Sequence, residues 1–575
     1  MNPLYKTSAL IFLGLFSLLS PHLHAQWVQT GADIDGESNG DLSGYAVSLS
    51  ADGTVLAIGA TGNPGDANRG HVQVFKKIGG EWIQQGADIN GEAIDDFSGY
   101  SISLSSDGNT VAIGAPGNSG GGNNRGHVRV YKNIGGAWTQ QGADIDGEAD
   151  IDLSGTSVSL SADGSTVAIG AYLNDGGGSD RGHVRVYKNI GGTWTQQGTD
   201  IDGEADNDQS GYSVSISADG SSIAIGAYEN DGIGNERGHV RVYKNIGGTW
   251  TQQGPDIDGE ADYDYSGRSV SISADGITVA IGAVFNDGTG TGNQGHVRVY
   301  KITGGTWIQQ GGDIDGETDG DVSGYSVSLS ADGAKVAIGA INNAGGGTNR
   351  GHIRIYKLTG GSWIQQGGDI DGKANGDASG YSVSLSPEGN TVAIGSPYSQ
   401  GGGITRGQVR VFATCSQTQQ LINAILALAK QKGKKIYVCH KGKTQQVSPT
   451  DFYFYLFLGG KLGKCEANYC EGLEIRGDDL DDFIGTDDDK TQRDMVLFPN
   501  PAAQIINVKL PFHTDQAVQI QVYNSLGQSM INQPFYLRGK DNGSLPVNIQ
   551  KLPQGMYFLK VSGEGYDTSR PFTKL

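Results

Sequence analysis

The chain has 575 residues, of which 94 are glycine, more than twice the usual share of about 7 per cent, but no triplet period accompanies them, so collagen and low-complexity disorder are excluded. Its 62 acidic side chains against 41 basic ones give a net charge of −21, which argues against a phosphate backbone or an anionic membrane as the main partner.

Residues 1–25 read as a secretory signal, with Lys6 ahead of an apolar stretch from Ala9 to Leu19 and Leu23-His24-Ala25 as the cleavage site. Beyond it no run reaches 18 apolar residues, so no transmembrane segment is predicted. Residues 26–414 are a tandem repeat. Trp27, Trp82, Trp138, Trp194, Trp250, Trp307 and Trp363 are spaced by 55 to 57 residues and open the same phrase, which runs in its third copy WTQQGADIDGEADIDLSGTSVSLSADGSTVAIGAYLNDGGGSDRGHVRVYKNIGG. SVSLS, TVAIGA and HVRVYK have strand periodicity and composition. Asp163-Gly164 and Gly191-Gly192 read as two-residue hairpin turns, so each copy holds four short antiparallel strands. Seven such sheets without atypical end copies predict a closed seven-bladed β-propeller rather than an open solenoid. The first copy supplies an outer strand without inner ones and residues 382–412 supply three inner strands without a fourth. Residues 27–33 are therefore expected to pair with residues 408–412 and close the ring.

Phrases such as SGYSVSLSADG, NTVAIGAP and GHVRVYK resemble the FG-GAP repeat of extracellular bacterial propellers, distantly similar to the head of integrin alpha chains. In the integrin-type repeat a calcium loop joins the first two strands. Here that connection is about as short as residues 162–165, too short to wrap a cation, so the family's metal site is not carried over. Strand order places the short turns on one face and the two long loops, DIDGEADIDLSG and YLNDGGGSDRG, on the other. The loops vary between copies where the strands do not, so binding specificity is expected on the loop face.

Acids fall at alternate positions of the first long loop: Asp144, Asp146, Glu148, Asp150 and Asp152, then Asp200, Asp202, Glu204, Asp206 and Asp208. The same spacing recurs at Asp256, Asp258, Glu260, Asp262 and Asp264, and at Asp313, Asp315, Glu317, Asp319 and Asp321. An extended chain puts such carboxylates along one side. Two readings stand: the acids gather around a hard cation, calcium being the natural choice, or they form a solvated acidic loop partly paired with Arg181 and its copies. The second copy departs at Asn90 and Ile94, and the seventh reads Asp369, Asp371, Lys373, Asn375, Asp377, with an ammonium in place of the glutamate. The recurrent Arg-Gly-His, as in Arg181-Gly182-His183, reads as a structural hydrogen-bonding histidine, since ring symmetry keeps its copies too far apart to share a zinc. Gly117-Asn118-Ser119-Gly120-Gly121 occurs once and reads as chance rather than a nucleophile loop. No catalytic or cofactor-binding residues are assigned.

Residues 415–475 form a small basic module whose Cys415, Cys439, Cys465 and Cys470 suit two local disulfides in an exported protein, with three connectivities open. Residues 420–430 have helical spacing, and the following stretch reads as strand, turn, strand, short helix and loop. CHKGK, VSP and LGKC resemble a short cysteine module of secreted bacterial repeat proteins, although the histidine expected in its second half is absent. Residues 476–494 are an acidic linker, and Arg476-Gly477-Asp478 at its start reads as a chance tripeptide. Residues 495–575 alternate over short strands and are expected to form an immunoglobulin-like β-sandwich. Phe498-Pro499-Asn500-Pro501, residues 523–527 and residues 552–559 resemble the C-terminal sorting domain of the type IX secretion system. That resemblance implies the type IX machinery as partner and a secreted or outer-surface location.

The expected function is extracellular binding or adhesion, of a glycan or a protein, through the acidic loop face. A structural matrix component is the alternative. A propeller hydrolase or lyase is less favoured, because catalytic residues would break the sameness of the copies.

Overall fold

The computed structural model describes residues 27–414 except 63–67, 233 and 289–291; beyond them it describes 436–440, 443–447, 461–462, 496–498, 505–509, 516–524, 529–537, 544–553, 555–563 and 566–574. The signal segment, the linker 476–494, the helical stretch 420–430, Arg476-Gly477-Asp478 and the disulfide candidates fall outside these residues, save for the backbone of Cys439.

In the third repeat Ser157–Leu160, Thr166–Ala171, His183–Ile190 and Thr193–Gln196 pair antiparallel in that order. Burial follows the residue pattern: Val158 and Leu160 are buried between half-exposed Ser157 and Ser159, and Thr166–Ala171 is buried throughout. The outer strand shows only its edge-on alternation, exposed against half-buried. The innermost strand would expose an unpaired edge, and serines cover it: Leu160 N–H donates to Ser103 Oγ of the preceding sheet at 2.9 Å, and Ser157 Oγ donates to the Gly211 carbonyl of the next at 2.7 Å. That approach is close enough that a Cβ on Gly170 would lie 1.9 Å from the Gly211 oxygen, so only glycine fits there.

The two turns differ from one another. Ile190 pairs with Thr193 across Gly191 and Gly192, whose φ of 61° and 92° fit the expected two-residue turn. The Asp-Gly turn is longer than expected. Ser161 N–H donates to Thr166 O, leaving four residues, 162–165, in the connection. The reason is the Asp163 carboxylate, which accepts from Ser161 Oγ at 2.7 Å and from the N–H and Oγ of Ser165 at 2.9 Å each, folding the chain around the side chain.

Seven such sheets are present, and the apolar side chains pack between neighbours rather than within one sheet. Ala112, Val128, Val130 and Ile145 of the second sheet meet Val158, Leu160, Val167 and Ile169 of the third. The last interface closes the circle: Ile34, Ala393, Val409 and Val411 of the seventh sheet meet Val47, Leu49, Leu56 and Ile58 of the first. The expected terminal pairing is present and slightly longer, with Trp27 opposite Thr414, Gln29 opposite Phe412 and Asp35 opposite Gln408. Residues 27–414 are therefore a closed ring of seven sheets, like a seven-bladed propeller; the sheets are called blades below, numbered by repeat.

The tryptophans tie the rim. Trp138, Trp194, Trp250 and Trp307 each donate Nε1–H to a glutamine carbonyl of the preceding blade at 2.7 Å, and Trp27 does the same to Gln366 of blade six. Such a bond is worth about 1 kcal/mol net, against roughly 1.5–3 kcal/mol for each aliphatic side chain buried; the interblade cores hold the ring and the tryptophans set its register. On the short-turn face a chain of backbone bonds runs from Ala51 through Ser106, Ala162, Ala218, Ala274 and Ala331 to the Pro387 carbonyl. Proline has no N–H with which to pass it on to blade one.

The C-terminal unit has a sheet of Val496–Phe498, Ile505–Lys509 and Ser544–Asn548, and a second of Ser529–Leu537, Gln516–Asn524, Gly555–Gly563 and Tyr566–Lys574. Ile506, Val508 and Val547 of one and Ile520, Val522, Leu559 and Val561 of the other share one fully buried core. In the cysteine module Ile436–His440 and Lys443–Val447 pair as the sequence suggests, but Lys461–Leu462, read as loop, adds a third strand beside Val438 and Cys439.

Candidate functional site on the loop face

The alternating acids do not lie along one extended edge. Only Ile145–Asp146 is strand, continuing the outer edge of blade two opposite His127 and Val128; after it the chain turns and crosses to blade three. The crossing is built by Asp152, which is 1 % exposed and whose Oδ2 accepts from the N–H groups of Glu148 at 3.0 Å and Ala149 at 2.8 Å and from Asn174 Nδ2 at 3.0 Å. Asp208, Asp264 and Asp321 hold their loops in the same way. These four cap their loops. The backbone carbonyls of Asp146, Asp202, Asp258 and Asp315 accept from Arg185, Arg241, Arg298 and Arg354 at 2.6–2.7 Å. Arg181 pairs with the loop as the solvated reading expects, its Nε 3.7 Å from Asp206 and its Nη2 donating to the Glu204 carbonyl at 2.5 Å.

The remaining acids are divided between blades. In blade three, Glu148 arrives on the entering crossing, Asp200 leaves on the next, and His183 stands between them at the head of the third strand. Its Nδ1 is 3.9 Å from Glu148 Oε2 and 3.9 Å from Asp200 Oδ2. The same trio recurs as Glu92, His127, Asp144; Glu204, His239, Asp256; Glu260, His296, Asp313; and Glu317, His352, Asp369. The expected ligands therefore combine across two consecutive loops, not within one. Glu92 and Asp369, in the two copies that depart from the alternating spacing, belong to complete sets. The histidines make no hydrogen bond either. Their Nε2 atoms are buried without a partner, contrary to the structural role expected of them. Burial, with the guanidinium two residues along, pushes His183 and His296 down to about 4, so both imidazoles are neutral at neutral pH. Burial also holds Glu148, Glu204 and Glu260 above the ordinary carboxyl value, partly offset by the same arginines and reinforced by nearby aspartates.

A second feature lies at the mouth of the channel. The residue after Ser-Gly in each repeat opens the inner strand: Tyr45, Tyr100, Thr156, Tyr212, Arg268, Tyr325 and Tyr381. Together with the serines and valines that follow, they line a cavity of ≈ 280 Å³. Tyr45 touches Tyr100 and Tyr381 with ring centroids 4.8 Å apart, and the Arg268 guanidinium lies 4.5 Å over Tyr212 and 4.6 Å over Tyr325. Thr156 leaves a gap in this collar. From Tyr212 an aromatic crescent spreads over one sector of the loop face, through Tyr228 at 4.4 Å and Tyr265 to Phe285, with Tyr172 on the other flank at 5.2 Å. Tyr228 donates to Gln209 Oε1 and Gln209 Nε2 donates to Glu229, each at 2.6 Å, and Tyr265 donates to Glu236. Burial raises Tyr100 and Tyr212 to about 12, so these two phenols stay protonated. Sequence reasoning treated the copies as unbroken; the signal it passed over is the Thr and the Arg where other repeats read Ser-Gly-Tyr.

Residues 496–573 match the family described as the secretion system C-terminal sorting domain. None of the curated proteins is detectably similar in sequence. Among solved structures, a Bacteroides uniformis protein assigned as a 6-phosphogluconolactonase is 14 % identical, over 60 % of this chain and 90 % of its own, with a TM-score of 0.43. A periplasmic gluconolactonase of Pseudomonas aeruginosa is 15 % identical over 61 % and 96 %, with a TM-score of 0.38. Sqt1 of Chaetomium thermophilum is 14 % identical over 64 % and 82 %, with a TM-score of 0.39. The sorting tail makes this a secreted or outer-cell-surface protein that engages the type IX machinery. No helix among the described residues is long and apolar enough to cross a membrane.

Proposed function

We propose that the ring is an extracellular binding module that takes a glycan at the channel mouth, on the sector bounded by Thr156 and Arg268. The observation that carries this reading is where the copies differ. The strands and interblade cores repeat almost unchanged, while the collar departs from tyrosine only at Thr156 and Arg268, in blades three and five, as a single asymmetric ligand on a symmetric scaffold requires. Half-buried tyrosines beside carboxylate and amide acceptors are suited to sugar rings and their hydroxyls. The guanidinium of Arg268, held over two rings with no carboxylate bonded to it among the described residues, offers donors to an acidic sugar. The collar holds no paired nucleophile and base, which favours binding over hydrolysis or lysis. The repeat phrases support the FG-GAP reading of the ring, and the two sheets around one core support an immunoglobulin-like tail. The test is a screen of the mature protein against neutral, amino and uronic-acid polysaccharides. Retention on one class, lost in Tyr212→Ala and Arg268→Gln with unchanged melting, supports the reading; retention unaffected by both variants removes the channel mouth from it.

A second reading, a structural matrix component, draws on Ile134, Ile190 and Ile246, which are 57–58 % exposed at equivalent rim positions. Concentration-dependent assembly without any glycan, abolished by Ile190→Ser and Ile246→Ser together, is its signature.

A further inference from the structure

We propose that blades two to six each hold one divalent cation of the zinc class, bound by His Nδ1 and two carboxylates, one from the loop entering the blade and one from the loop leaving it. Blade three shows why. His183 is 1 % exposed and its Nε2 is buried without a hydrogen-bond partner, as are both ring nitrogens of His352 in blade six, an expensive state for a buried imidazole. The His183 Nδ1 faces two carboxylate oxygens at 3.9 Å, too far to bond. Ligands on tetrahedral arms of about 2.1 Å lie about 3.4 Å apart, so a cation needs the set to tighten by roughly half an ångström. Both carboxylates are partly exposed and free to make that move.

Each carboxylate already has its other oxygen held. Gln196 Nε2 donates to Asp200 Oδ1 at 2.6 Å, and Arg185 Nη1 lies 3.5 Å from Glu148 Oε1, so Oδ2 and Oε2 are left facing the imidazole. Such outer partners are what orient ligands in metal sites. The two blades outside the pattern serve as internal controls. In blade seven, Lys373 stands in the glutamate position, Gln408 in the histidine position, and the Lys373 ammonium pairs with Asp33. In blade one, Gln73 replaces the arginine, and its amide bridges Glu37 at 2.9 Å and Asp88 at 3.2 Å. In both blades a protein donor satisfies the carboxylates, in blade one although Glu37, His71 and Asp88 are all present; in blades two to six none sits between them.

An imidazole nitrogen among the donors shifts the preference from calcium, which takes oxygen ligands, to zinc or manganese. The test is metal content of the full mature chain, dialysed against Zn²⁺ or Ca²⁺ and measured by inductively coupled plasma mass spectrometry, with melting curves in Zn²⁺ and in chelator. About five more zinc equivalents than calcium are expected, with a melting temperature raised by Zn²⁺ and restored by chelator. His183→Gln, which copies Gln408, should lose one equivalent and still fold; Lys373→Glu with Gln408→His should gain one. These differences are blind to zinc held elsewhere in the chain, and independent of the glycan reading. Unchanged zinc content in His183→Gln, or calcium taken up in preference to zinc, overturns the proposal.

Discussion

Two positions in every crossing loop are left-handed whatever residue occupies them, the second being Leu153 and its copies. At the first, Gly40, Asp95, Ile151, Asn207, Tyr263, Gly320 and Gly376 all have φ between 61° and 83°. For a β-branched residue that conformation is strained by about 1–2 kcal/mol, and Ile151 recovers nothing by burial, being 52 % exposed. Asn tolerates the region and already fills it at position 207. Ile151→Asn is therefore expected to stabilise the ring by roughly 0.5–1 kcal/mol, read as a higher melting temperature; a lower one shows that Ile151 makes a contact that matters. The turn aspartates give a pH dependence at the same scale. Burial acts to raise Asp52, Asp107, Asp163, Asp219 and Asp332, but their hydroxyl and N–H donors prevail and the carboxyls sit below the ordinary value. A depressed folded pKa stabilises fully above the unfolded value of about 3.9 and is lost as pH falls through the folded one. Melting temperature should drop more steeply between pH 5 and pH 3 in the parent than in Asp163→Asn, and parallel curves would count against the turns as its source.

At the scale of the element, the crossing loop separates two kinds of carboxylate that look alike in sequence. Asp152→Ala removes the acceptor of two N–H groups and of buried Asn174, and is expected to destabilise by roughly 2–3 kcal/mol; Asp206→Ala, at a side chain 63 % exposed, should stay within about 0.5 kcal/mol. Equal effects in denaturant unfolding would refute the distinction. This loop is also where sequence reading stopped short. Strands were legible because burial period and residue period coincide, as in Val158 and Leu160, and closure was legible because Trp27 lacked inner strands. Spacing along one loop cannot show that Glu148 faces Asp200, 52 positions away, rather than Asp146 beside it, since the chain leaves its strand after two residues. The phrase at residues 117–121 has no nucleophile pattern to offer, yet it holds a structural residue: the Asn118 side chain donates to Asp96 at 3.1 Å, as Asn174 does to Asp152. The Asp-Gly turn was misjudged for a related reason: a side chain, not the glycine alone, decides its length.

At the scale of the molecule, the ring has one seam, between blades seven and one. The backbone chain of the short-turn face stops there at Pro387, while the core of Ile34, Val409 and Val411 against Val47 and Leu56 continues across it. The seam should be the first junction to open. Removing residues 27–35 takes away the outer strand of blade seven and the Trp27 bond to Gln366 together. Limited proteolysis of that variant should cut first within residues 382–414. Cleavage spread evenly over the seven blades would mean the seam is no weaker than its neighbours.

Closing a circle with its own first strand sets the order of events in folding. Blades one to six each complete themselves from neighbouring sequence, but the seventh must bring Trp27 to Thr414 across the whole ring. Joining ends that far apart carries a chain-entropy penalty of about 5 kcal/mol, compensated only once the strand docks. Until then the chain is an open arc with an unpaired edge at Gln408–Thr414, the kind of edge that recruits a strand from another molecule. Placing residues 27–35 after residue 414 through a Gly-Gly turn, like the one between Ile190 and Thr193, makes the closing strand a local hairpin partner. That rearranged chain should refold faster and with less concentration-dependent aggregation than the natural order, at nearly the same final stability, because the arc never waits for its distant end.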